Sequence, residues 1–150
     1  MADTDLIKLY SERILALAAD IPLTERLEAP QATVKKRAPL CGSTITIDLT
    51  VEDGRISAYG QDVKACALGQ AAASILARNV IGRTRQEIEL ARDSLLAMMT
   101  ENGPVPDPPF GDFSVLEPAR DFRNRHASIM LALNATAEAI AIAETTSDCA

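Results

Sequence analysis

The chain has no tryptophan, and only two tyrosines and three phenylalanines among its 150 residues. So few aromatics leave no platform on which nucleic-acid bases could stack. Positive charge is also short. Fifteen Lys and Arg stand against twenty-one Asp and Glu, a net charge of −6, which argues against binding nucleic acid through its phosphates. There is one histidine, and no nucleophile, base and orienting carboxylate are recognisable around it, which argues against a hydrolase. No stretch reads as apolar enough to span a membrane. The start, Met1-Ala2-Asp3-Thr4-Asp5, lacks the basic head and apolar core of a secretory signal, so the expectation is a cytoplasmic protein with no membrane partner. No repeat or low-complexity tract interrupts the chain. Three cysteines in a reducing compartment point to metal or thiol chemistry rather than disulfides.

What is present is a globular composition, 47% hydrophobic, at a length expected to form one domain over residues 1–150, with a core from 5 to 144 and a polar tail from 145 to 150. A first helix is expected from about Asp5 to Asp20, with Ile7, Leu15, Leu17 and Ala18 as its apolar face and Pro22 as its stop. A short edge strand follows at Val34 to Lys36. From Thr44 to Val51 the residues alternate, with Ile45, Ile47 and Leu49 on one face and Thr44, Thr46, Asp48 and Thr50 on the other, the period of a half-buried strand. Glu52-Asp53-Gly54 reads as a tight hairpin turn, and Arg55 to Lys64 as the return strand, its alternation broken at Gly60.

Ala67 to Val80 then reads as a helix ending near Gly82. Thr84 with Glu87 makes a capping box for another helix reaching Thr100. Met98 and Met99 fall at helical spacing with Ile88 and Leu95, so they read as core rather than a copper site. Asn102-Gly103-Pro104 ends that helix, and Pro106 to Gly111 is a proline-rich loop. A long helix is expected from Asp121 to Glu144, carrying Ile129, Leu131, Leu133, Ile140 and Ile142, with a frayed tail after it. Strands first and helices after give an α+β domain, a three-stranded antiparallel sheet with helices on one face.

Three side chains carry the chemistry. Cys41 opens the second strand, Cys66 stands where strand turns to helix, and His126 lies where the last helix begins. Thiols and imidazole are ligands that zinc and iron prefer, and each stands at the edge of an element, where a fold can gather distant residues. The local basic runs precede two of them: Lys35, Lys36 and Arg37 before Cys41, and Arg120, Arg123 and Arg125 before His126. Cys149 in the tail reads as an exposed spare thiol, distant from the rest. Arg123 and Arg125 read either as solvated charges or as steering groups for an acidic partner or a sulfide-bearing species.

Three motifs, Ala38-Pro39-Leu40-Cys41-Gly42, Cys66-Ala67-Leu68-Gly69-Gln70-Ala71-Ala72-Ala73-Ser74 and Phe122-Arg123-Asn124-Arg125-His126-Ala127-Ser128-Ile129, resemble those of the U-type iron–sulfur cluster assembly proteins, the IscU, SufU and NifU N-terminal group. Leu95-Leu96-Ala97-Met98-Met99-Thr100 with its proline-containing loop, and Arg123 three residues before His126, look most like SufU. The resemblance implies an N-terminal helix, the same three-stranded sheet and a helical second half. The family's ligands are three cysteines and an aspartate two residues after the first. Carried over, Cys41 and Cys66 match, His126 stands for the third cysteine, Ser43 replaces the aspartate, and Ala65 replaces a glycine. The fourth ligand is left to Ser43 or Asp62, to water or to a partner's thiol. The proline-rich chaperone-binding motif of IscU has no counterpart before His126.

The resemblance further implies a scaffold or sulfur acceptor that receives persulfide sulfur from a cysteine desulfurase at Cys41 and serves a recipient apo-protein or carrier. Cys41, Cys66 and His126 would hold iron or a transient [2Fe-2S] cluster. Alternatively they would hold zinc, with Cys41 leaving the metal to accept sulfur, a zinc-dependent sulfurtransferase partner. A competing reading, favoured by the serine at position 43, is a non-catalytic binding module of the same fold with structural zinc or an empty site.

Overall fold

The computed structural model describes residues 11–39 and 42–149, with side chains through Thr145. The order is α1 (Glu12–Ala19), β1 (Ala32–Arg37), β2 (Thr44–Glu52), β3 (Arg55–Lys64), α2 (Ala67–Asn79), α3 (Arg85–Thr100), a 3-10 segment (Gly111–Asp121) and α4 (Arg123–Cys149). The strands form an antiparallel meander, β1-β2-β3. Ile45, Ile47 and Leu49 lie opposite Val63, Gln61 and Tyr59. The alternation of β2 is therefore realised, and its apolar face is buried. The expected turn is a two-residue connection with positive φ at Asp53 (53°) and Gly54 (76°), a backbone that suits the twist of the flanking strands.

α4 is the centre of the domain, packed against β1, β2, α2 and α3. Ile129, Ala135, Thr136, Ala139, Ile140 and Ala143 are fully or almost fully buried along it, and the Tyr59 hydroxyl meets Thr136 Oγ1 at 2.9 Å across the sheet interface. A helix surrounded on most sides by protein is apolar on most sides. That corrects the expectation that no stretch is apolar enough to cross a membrane. By length and composition Arg123–Thr145 is, with a mean hydropathy of 1.3, and 67% of that window is buried inside the domain. Its apolarity is used by the core. The helix also runs on to Cys149, where a frayed tail was expected.

The opposite face of the sheet is covered too, by the link between α1 and β1. Asp48, which the alternation puts on that face, is fully buried. Its carboxylate accepts from the Arg26 guanidinium (3.0 Å at Oδ1), Leu27 N (3.1 Å) and Thr33 Oγ1 (2.6 Å). Burial pushes this carboxyl up, but the Arg26, Thr33 and Leu27 donors outweigh burial and hold it below its ordinary value. Gly60, in register with Asp48, permits the crossing, because a Cβ there would stand 2.3 Å from Glu25 O. Its break in the alternation marks this close approach of backbone.

α1 packs on α2 through Ile14, which is fully buried, while Leu15 is 49% exposed. Leu17 and Ala18 share that packed side as expected, Ile14 takes the place given to Leu15, and Ile7 lies outside the described residues. The capping box of α3 is present in both directions, and Asn102 (φ 53°) ends that helix. The loop expected from Pro106 to Gly111 leads into the 3-10 segment, which periodicity missed because Pro118 interrupts it.

Candidate functional site

Two of the expected site residues are brought to a third that was not expected. Cys66 is the N-cap of α2, with extended backbone (φ −67°, ψ 170°) and no side-chain bond to the helix's own N–H groups. Its half-buried thiol turns instead to α4, where Sγ lies 3.5 Å from Ser128 Oγ. Ser43 stands two residues before Ile45 on the α4-facing side of β2, and its Oγ lies 3.1 Å from the same Ser128 Oγ. Ser43 and Ser128 are 4% and 1% exposed. One buried hydroxyl thus joins the start of β2 to the head of α2.

Gly69 makes room for it. A Cβ at position 69 would lie 2.4 Å from Ser128 Oγ, 2.9 Å from Ala65 Cβ and 3.2 Å from Ser128 O. α2 and α4 can approach this closely only because position 69 has no side chain. Both residues belong to the motifs above, yet neither was singled out. The available signals were a glycine inside an alanine-rich helix and a lone serine on the apolar stripe of a buried one.

Cys41 and Leu40 lie outside the described residues, so the expected convergence on Cys41 is not described. The described residues that flank them are joined by Ala38 N to Ser43 O (2.8 Å) and Gly42 N to Ala38 O (3.0 Å). Gly42 has φ 71°, a conformation that favours glycine. The side chain of Cys149 is likewise outside the described residues.

His126 is on the first turns of α4. Its Nε2 lies 3.0 Å from Ala119 O and 3.1 Å from Arg120 O. Carbonyl oxygens only accept, so Nε2 carries a proton, and in the neutral ring the lone pair is on Nδ1. A backbone carbonyl fixing one ring nitrogen is the usual support of a ligating histidine. Two residues apart on a helix is roughly 200° of rotation, so His126 and Ser128 leave α4 on different sides. The imidazole lines a polar cavity of about 520 Å³ with Met99, Thr100, Asn102, Arg120, Asp121 and Arg123. Arg120 is committed to the end of α3, donating to Met98 O (2.7 Å) and Gly103 O (3.2 Å). Arg123 is exposed and Arg125 half-buried.

Asp62 is exposed, opposite Thr46 on the outer face of the sheet, where its charge acts on Arg26. It is not on the side of Ser43 and Ser128. Among the described residues no three His, Cys, Asp or Glu side chains form a metal-sized cluster. Met98 and Met99 are buried in the core.

Comparison with known proteins gives consistent matches. The family model of the NifU-like N terminal domain matches residues 10–141. The iron–sulfur cluster assembly scaffold protein IscU of Thermotoga maritima is 31% identical over 80 residues, which are 53% of this chain and 56% of that protein. The chain thus spans little more than half the length of this curated relative. The crystal structure of the N-terminal part of a nitrogen-fixing NifU-like protein from Brucella abortus superposes with a TM-score of 0.91 at 42% identity, covering 94% of this chain and 98% of that one. A SUF-system scaffold candidate from Fervidobacterium islandicum superposes with a TM-score of 0.81 at 18% identity, covering 89% and 98% of the two chains. At that identity it speaks for the fold alone.

Proposed function

The chain belongs to the NifU-like N-terminal domain family, and from that footing we propose that it is an iron–sulfur cluster assembly scaffold and sulfur acceptor whose working thiols are Cys41 and Cys66. The observation that carries the reading is the position of Cys66. Its thiol is half-buried at the head of α2, unused by the helix's own N–H groups, and held toward α4 by Ser128. Cys41 is two residues from Ser43, whose hydroxyl meets the same serine.

The partner that supplies sulfur is a cysteine desulfurase. The Cys41 thiolate attacks the outer sulfur of the partner's persulfide, the old S–S bond breaks, and the partner's cysteine leaves as a thiolate. No electrons are gained or lost overall. Iron and sulfide, or the [2Fe-2S] cluster they form, are the cargo, passed on to a recipient apo-protein or carrier. The third donor is Nδ1 of His126, an assignment supported by the carbonyls that hold the proton on Nε2. Thiolates and imidazole also suit zinc, which at this site would hold the thiolates ready for exchange. Ser43 does not fit as a metal ligand: it is a neutral hydroxyl, buried and engaged with Ser128.

A second reading of His126 is favoured by its departure from α4 on a different side from Ser128. In it the imidazole closes the end of the 3-10 segment, and the cargo is held by the two cysteines with exogenous ligands. Anaerobic reconstitution with iron and sulfide decides. Visible absorption and bound iron should appear in the native chain and vanish in Cys41→Ser and Cys66→Ser. A native protein that takes up neither iron with sulfide nor zinc would leave the binding module as the function. Loss in His126→Ala supports ligation, and full retention supports the two-cysteine site.

A further inference from the structure

Ser128 does more than fill space between two helices. It is a polar side chain, 1% exposed, on a helix whose buried face is otherwise Ala, Ile, Leu and Met apart from Thr136. A buried hydroxyl is costly unless it is hydrogen-bonded. Its oxygen stands between the Ser43 hydroxyl at 3.1 Å and the Cys66 sulfur at 3.5 Å. It also occupies the space that any side chain at position 69 would need. Two independent features, the hydroxyl pair and the missing Cβ, therefore fix the same atom beside the Cys66 thiol.

We propose that Ser128 is the positioning residue for Cys66: its hydroxyl, admitted by Gly69 and backed by Ser43, holds the sulfur in one orientation for its ligand. The direction of the chain follows from the state of the sulfur. A thiolate only accepts, so Ser128 must donate to it, and Ser43 then donates to Ser128. A thiol can instead donate to Ser128. The same three groups thus serve the sulfur before and after it binds metal or accepts cargo. Ser43, at the position where the resemblance expects a ligand aspartate, becomes the far support of this chain. The inference deepens the proposed function and rests on Cys66 being a working thiol.

The test has a metal-independent arm and a metal-binding arm. In a Cys41→Ser, Cys149→Ser background one thiol remains, and its S–H stretch is followed by infrared spectroscopy. Adding Ser128→Ala should move that band, and adding Ser43→Ala should move it less in the same direction, with far-ultraviolet circular dichroism unchanged in both. In the otherwise native chain, Ser128→Ala should weaken cobalt(II) binding by about fivefold, the worth of one net hydrogen bond, and shift the sulfur-to-cobalt charge-transfer absorption. An S–H band that stays put in Ser128→Ala overturns the proposal whatever the metal does. Unchanged cobalt affinity and spectrum in Ser128→Ala, with the native chain binding cobalt, also overturn it. If the native chain binds no cobalt, the proposed metal chemistry fails, and the infrared arm alone decides the role of Ser128.

Discussion

Gly69→Ala separates a merely helical glycine from one that sets the distance between two helices. In an open helix interior the change should stabilise by about 0.5–1 kcal/mol, because alanine loses less backbone freedom on folding. Here the new methyl would stand 2.4 Å from Ser128 Oγ and 2.9 Å from Ala65 Cβ, closer than real contacts allow. Overpacking of this kind costs about 1–3 kcal/mol. The expected net is a loss of about 1–2 kcal/mol, or roughly 3–6 °C in the thermal midpoint of a domain this size. Urea unfolding followed by circular dichroism gives the free energy, with an unchanged slope expected.

A double-mutant cycle with Ser128→Ala sharpens the test. Removing the hydroxyl takes away the worst contact but leaves Ala65 Cβ and the Ser128 carbonyl at 3.2 Å. The double variant should therefore be better than the sum of the singles by about 1 kcal/mol. Two results refute the reasoning: a higher midpoint in Gly69→Ala, or additivity within about 0.5 kcal/mol. Either would mean that the helices are not held apart by this pair.

Asp48→Asn should cost about 3 kcal/mol in urea unfolding, because Arg26, Leu27 N and Thr33 lose a charged acceptor inside the fold. The native carboxyl is held below its ordinary value, so its stabilisation is present above the unfolded-state pKa and fades as pH falls through the folded one. Acid titration of stability should be shallower in the asparagine variant, and equal slopes would contradict the assignment. Tyr59 is pushed the other way, its pKa raised by burial, so its contribution is present below the unfolded-state value of about 10 and is lost as pH climbs above it. Tyr59→Phe should cost about 1 kcal/mol at neutral pH and make alkaline unfolding less steep, which a pH series of melting curves reads directly. Cys41→Ser should abolish persulfide uptake from a desulfurase while leaving the melting curve in place. Uptake persisting at Cys66 would move the acceptor role there.

The sheet was legible because β2 alternates strictly and its turn carries Asp53-Gly54, so pattern and turn chemistry agree. α3 was legible from Thr84 and Glu87 for the same reason. α1 was misread at Leu15 alone, since Ile14 stands three and four residues before Leu17 and Ala18 and is the one that the helical period puts on their face. The burial of Asp48 was invisible, because an aspartate in the polar half of an alternating strand looks solvated until a link folds over it. At the candidate site, Cys66 was legible as the residue at a strand-to-helix junction, where it is the N-cap of α2. Ser128 and Gly69 were not, because their roles exist only as a distance between two helices far apart in sequence. The turning of His126 to Ala119 and Arg120 depends on a 3-10 segment that has no amphipathic period to read.

The span of these contacts governs how the protein is made. Ser128 meets Cys66 across 62 residues and Ser43 across 85, so the partner of both is translated long after them. At roughly 5–20 residues per second, the stretch from Cys66 to Ser128 takes about 3–12 seconds to synthesise. During that interval the sheet and the head of α2 are already available, while Cys66 has no hydroxyl to rest against. The nascent chain therefore carries the Cys66 thiol without its serine until its last helix arrives. A slow ribosome lengthens that interval.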